Sequence, residues 1–194
     1  MSASFNVAIN GYGVGDDACS DPQLHRYLSP IAVQLRGLCN NGHTLTIYLM
    51  GGATSSASVS EASYMREWFF HHGGDELVAN FVLIEPKTPT QSAQDNLRLL
   101  KEHCGDRAIS IYCLDAREWK MRFFVRQIGL QRAMVCGVDF ARFDSHRAAL
   151  AKSLVWLAAD VVEVLGHKVP PLGWVSRALR VRHIKAERKK KGAP

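Results

Sequence analysis

Two kinds of apolar run alternate along the chain. Short dense blocks occur at Phe5 to Asn10, Leu45 to Met50, Phe81 to Ile84, Ala108 to Leu114 and Arg132 to Val138. Blocks of this length, bounded by turn residues, predict buried strands. Between them apolar residues recur every three or four positions: Leu24, Leu28, Ile31, Leu35 and Leu38; Ala62, Met65 and Phe69; Ala93, Leu97 and Leu100; Leu150, Leu154, Leu157, Val161 and Leu165. That spacing gives a helix one buried face. Five strands alternating with helices predict a mainly parallel five-stranded sheet with helices on both faces, a Rossmann-like three-layer α/β/α sandwich.

Local signals place the helix ends. Asp21-Pro22 supplies an N-cap and a proline at the first helical position, and Asn41-Gly42 a stop. Ser58 with Glu61 three residues on fits a capping box, and Gly73-Gly74 ends that helix. Thr88-Pro89-Thr90-Gln91 reads as another start, with Thr88 as cap and Gln91 closing the box. Arg117, Lys120, Arg122 and Arg126 form a basic helix, expected to be a solvated face. Pro170-Pro171-Leu172-Gly173 breaks the last long helix and divides an α/β domain, residues 1–170, from a basic tail, residues 171–194. Val175, Leu179 and Ile184 allow a short amphipathic helix within the tail.

Small and hydrogen-bonding residues gather where strands hand over to helices. Asn10 is followed by Gly11-Tyr12-Gly13-Val14-Gly15-Asp16, a glycine-rich loop that departs from the dinucleotide fingerprint because Asp16 holds its third glycine position. Met50 opens onto Gly51-Gly52-Ala53-Thr54 and then Ser60-Glu61-Ala62. Ile84 opens onto Glu85 and then Thr88, Thr90 and Asn96. In open α/β sheets ligands bind outside the carboxyl ends of the strands, against helix N-termini. Gly11, Gly13, Gly51, Gly52, Ser60, Glu61, Glu85, Thr90, Asn96, Asp115 and Arg117 are therefore expected to line one cleft. Several of these have competing roles: Gly11 and Gly13 as a plain glycine turn, Glu61 as part of the Ser58 box, Asn96 as a solvated helix residue and Arg117 as part of the solvated basic face.

The same residues carry a resemblance. Gly51-Gly52, Ser60-Glu61-Ala62, Glu85, Thr90 and Asn96 resemble the domain-of-unknown-function family that includes YdcF, SanA and ElyC. Asp95 stands where that family has Glu, and Leu97 where it has Ala. The family's His-x-x-Arg motif falls on Arg117 and Lys120, so the His is missing and the Arg is replaced by Lys. The resemblance implies the same fold and a nucleotide-like small ligand, with S-adenosylmethionine the expected one.

Charge and cysteine usage narrow the partners. The net charge of +6 is concentrated: residues 177–191 hold eight basic residues and one acid, giving +7 there and −1 elsewhere. A nucleic-acid-binding face on the body is therefore not indicated, though the tail can contact nucleic acid or an anionic membrane weakly. Five cysteines without CxxC or paired spacing, and a start lacking a signal-peptide pattern, predict a reduced, cytoplasmic setting. Cys104, Cys113 and Cys136 sit in or beside apolar runs, as small buried hydrophobes do. No HxxxH, HExxH or CxxC occurs, so no metal site is expected from spacing. The leading expectation is a small-molecule-binding protein. The alternatives are an enzyme acting on a phosphorylated or nucleotide substrate, with Glu61, Glu85 or Asp115 as acid/base groups and Arg117 steering the anion, and an interaction protein working through its tail.

Overall fold

The computed structural model describes residues 2–11, 13, 17–54, 59–74, 77–88, 91–139, 157–166 and 168–190. Five parallel strands, β1 (Ser4–Asn10), β2 (Thr44–Met50), β3 (Ala79–Ile84), β4 (Ile109–Leu114) and β5 (Ala133–Val138), form one sheet in the order β3-β2-β1-β4-β5. The chain winds outward from β1 to β3, then crosses back to place β4 on the other side of β1. That reversal switches the helices from one face to the other. The expected three-layer sandwich is present.

Side chains alternate along the central strands between two cores. Val7, Ile9, Leu45, Ile47 and Leu49 face helices α1 (Pro22–Asn40) and α2 (Glu61–His72). Ala8, Tyr48, Met50, Ile109, Ile111 and Cys113 face α3 (Ala93–Cys104) and α4 (Glu118–Ile128). Both faces of β1 and β2 are buried, which is why these strands read as nearly continuous apolar runs. Cys113 lies deep enough that burial, before the charge of Glu118, pushes its thiol up to about 12. Cys104 is likewise buried, whereas Cys136 is half-buried, and all five cysteines are free thiols.

Helix α1 starts as its sequence predicts. The Asp21 carboxylate accepts from the amides of Gln23 (2.9 Å) and Leu24 (3.1 Å), and Pro22 occupies the first turn. Leu24, Leu28, Ile31 and Leu35 are fully buried along its expected stripe. The other two caps differ from expectation. Helix α2 is capped by Ser60, whose Oγ accepts from Ser63 N at 2.9 Å while Ser63 Oγ accepts from Ser60 N at 3.2 Å. Serine closes the box as well as glutamate does, so Glu61 sits at the first helical position and is not spent on capping; Ser58 lies outside the described residues. Helix α3 starts after Ser92, whose box is closed by Asp95, and not at Thr88. Thr88 instead accepts from Gln91 N (3.1 Å) and donates to Asp95 Oδ2 (2.8 Å), tying the preceding loop to the helix.

The carboxyl-terminal region also departs from expectation. A helical segment, α5, covers 157–166; the expected Leu150 and Leu154 lie outside the described residues. Pro170-Pro171 does not end structure but opens a 21-residue helix, α6 (Pro170–Lys190). Proline fits the first turn of a helix because its missing N–H has no intrahelical acceptor there. Ile184 on α6 is buried, so the basic segment touches the sheet domain. Among the described residues no helix is long and apolar enough to cross a membrane.

Candidate functional site

Both glycine-bearing junctions open at the same edge of the sheet. Gly51 N donates to Ile84 O at 2.9 Å, continuing the β2–β3 pairing one step beyond the strands. Glu85 therefore emerges beside Gly51-Gly52. The helix-opening amides of Glu61 and Ala62 donate to Gly52 O (3.1 Å) and Gly51 O (3.2 Å), which docks the start of α2 directly on this turn.

Freed from capping, Glu61 turns toward the strand tips. A β-carbon on Gly11 would lie 2.0 Å from Glu61 Oε2 and 2.9 Å from Met50 O. One on Gly51 would lie 2.5 Å from Glu61 Cβ. The absence of side chains at both positions is thus what lets the carboxylate reach the ends of β1 and β2. Thr54 Oγ1 donates to Glu61 Oε1 at 2.6 Å and fixes its rotamer. Burial pushes the carboxyl above its ordinary value; the Thr54 hydrogen bond and the positive charges of Arg180 and Arg117 pull it partly back.

Beside Glu61, Ser60 Oγ donates to Glu85 Oε1, joining the α2 cap to the tip of β3. A groove of about 560 Å³ opens here, lined by Gly52, Ser60, Ser63, Glu85, Thr88 and Gln91. Val181, Ile184 and Lys185 of α6 form its other wall. Gln91 stands out on two counts. Its backbone is in the left-handed region (φ 42°), unusual for a residue other than glycine, and its Oε1 is buried with no hydrogen-bond partner. A β-carbon on Gly52 would lie 2.8 Å from that same oxygen, so glycine makes room for it.

One step below, Asn96 is 4% exposed, not solvated, and its Nδ2 donates to Asn10 Oδ1 at 3.1 Å. Asn10 Nδ2 donates in turn to Gly11 O (3.1 Å), while its own carbonyl accepts from Tyr27 Oη (2.9 Å). This chain of amides holds the β1 tip under Glu61. Gly51, Gly52, Ser60, Glu61 and Glu85 thus come together with Gly11, and Asn96 supports them. Gly13 is described but would meet nothing within 4 Å, its φ of 136° being the conformational reason for glycine. Thr90 lies outside the described residues.

Asp115 and Arg117 belong to the other half of the edge. They form a single 3-10 turn after β4, with Asp115 packed against Gly137. The expected solvated basic face is only partly solvated. Lys120 is 4% exposed, with Nζ 2.6 Å from Asp160 Oδ1 and 3.0 Å from Glu163 Oε2. Arg117 Nε lies 3.7 Å from the other oxygen of Asp160, and Arg122 pairs with Glu118. Sequence spacing missed Asp160 because it comes from α5, and missed Ser63, Gln91, Ile184 and Lys185 because their signals are local turn and helix features. Thr54, in the small polar turn after β2, was the most legible of the residues passed over.

The chain matches no protein-family model, no curated protein and no solved structure.

Proposed function

We propose that the protein binds a nucleotide-like small molecule at the carboxyl edge of β1–β3, in the groove under α6, with S-adenosylmethionine the leading candidate. The observation that carries this reading is the pair of unlike polar groups sharing one groove: the unpartnered Gln91 Oε1 and the Glu85 carboxylate. An amide oxygen accepts from an exocyclic amine, and a strand-tip carboxylate accepts from ribose hydroxyls. The volume lies within the range of small-molecule pockets. Two carboxylates, Glu61 and Glu85, at the same tips favour a neutral or cationic ligand over a polyphosphate. The resemblance to the YdcF family in Gly51, Gly52, Ser60, Glu61 and Glu85 supports the same ligand class.

A second reading, an enzyme acting on a phosphorylated substrate, draws on Lys87 and Lys185 at the groove. Calorimetric titration of the full chain separates the two. Saturable binding of S-adenosylmethionine with no heat from ATP supports the first. Binding of ATP alone supports the second, and binding of neither refutes both. Native mass spectrometry of freshly purified protein provides an independent search for a retained small molecule.

A further inference from the structure

Away from the groove, three side chains able to ligate a metal converge on the outer side of α2. Cys19 Sγ, a Glu67 carboxylate oxygen and a His71 ring nitrogen all lie within 4.8 Å of one another. Glu67 and His71 are four residues apart and so share a helix face. Cys19 comes from the loop before α1, which is why no spacing motif signals the set.

The loop carrying Cys19 is held in place. His72 Nε2 donates to Cys19 O at 2.8 Å, and the His72 ring packs against Trp68 and His25. Tyr64 Oη donates to Asp21 Oδ2 at 3.2 Å, and Cys19 N donates to Asp17 Oδ1 at 3.0 Å. Two contacts from α2 thus fix both ends of Cys19-Ser20-Asp21 while leaving the thiol beside Glu67 and His71.

We infer that Cys19, Glu67 and His71 form a three-ligand site for a borderline-soft divalent cation, zinc above all, with the fourth position open to water. Thiolate, imidazole and carboxylate together suit zinc and exclude calcium or magnesium, which take oxygen ligands. In a tetrahedral zinc site with bonds of about 2.0–2.3 Å, ligand atoms stand roughly 3.3–3.7 Å apart. The cluster lies within 4.8 Å, so closing to that spacing requires rotamer adjustment of two exposed helix side chains and one loop thiol. Bound there, the ion would pin the loop before α1 to α2, independently of the groove.

Cobalt(II) titration of the full chain under a non-chelating reductant tests this, because a cobalt–thiolate bond gives a charge-transfer absorption that imidazole and carboxylate do not. The expected result is a saturable thiolate band that zinc displaces. It disappears in Cys19→Ser, persists in Cys39→Ser, and weakens at least tenfold in affinity in His71→Gln. His71 is exposed, so that variant keeps the fold, which circular dichroism verifies. Absence of the band in the unmodified chain, its survival in Cys19→Ser, its loss in Cys39→Ser, or indifference to His71→Gln would each overturn the assignment.

Discussion

The two halves of the sheet's carboxyl edge use charged residues in opposite ways. On the β4–β5 side the cations are consumed: Lys120 is buried between Asp160 and Glu163, with Arg117 beside the same carboxylate. These pairs clamp α5 to α4 and leave little for a ligand. On the β1–β3 side, Glu61 accepts from the Thr54 hydroxyl and Glu85 from the Ser60 hydroxyl, and Gln91 keeps an acceptor with no partner. Charge by itself therefore does not mark a binding site; what distinguishes the two halves is whether the carboxylates are taken up by close ion pairs or meet hydroxyls.

Breaking the clamp has the largest expected effect. Asp160→Ala strips Lys120 of its closer partner, and removing one member of a buried pair costs about 3 kcal/mol or more. Denaturant unfolding should show that loss, while ligand affinity changes little. A stability change below ~1 kcal/mol would mean the clamp is solvated, and the contrast between the halves would fail.

Next comes Gly51→Ala. Its new β-carbon falls 2.5 Å from Glu61 Cβ, which the start of α2 cannot easily yield. Overpacking of this kind costs about 1–3 kcal/mol. Here stability and ligand binding should fall together, whereas Asp160→Ala separates them. Ser60→Ala removes the α2 cap and the donor to Glu85, so about 1 kcal/mol should be lost, measured by the same unfolding. Unchanged stability in Ser60→Ala would contradict a role for the cap and for the Ser60–Glu85 contact alike.

The smallest effect is one of pH. Burial raises the folded-state affinity of Glu61 for its proton, so between the ordinary carboxyl value and the raised one the native state holds more proton than the unfolded chain. Its unfavourable contribution is absent at low pH and grows as pH rises through the folded value. Glu61→Gln should therefore melt at or above the unmodified protein near pH 7. The difference should shrink toward pH 4. A difference that grows on acidification would mean the carboxylate is stabilised in the fold.

Much of this architecture was legible in the sequence because burial has a period. The stripe Leu24, Leu28, Ile31, Leu35 predicted α1, and the dense runs predicted all five strands. The strand tips were legible too, since Gly51-Gly52 and Glu85 follow strand runs directly. The Asp21 cap of α1 was legible as well, but the caps of α2 and α3 were not, because serine and aspartate also close capping boxes and Ser60/Ser63 and Ser92/Asp95 stand at the helix starts. The fate of Lys120 was not either, because its partners come from a distant helix. Nor was the role of α6: Pro170-Pro171 reads as a break, and only the tertiary fold shows it opening a helix that reaches the groove.

Amide hydrogen exchange of the full chain, with and without saturating S-adenosylmethionine, tests the central claim most directly. Slowed exchange at residues 51–54, 60–63, 85–88 and 181–185, with none at 117–120 or 133–138, is the predicted result. No change anywhere, or protection confined to the β4–β5 half, would contradict it.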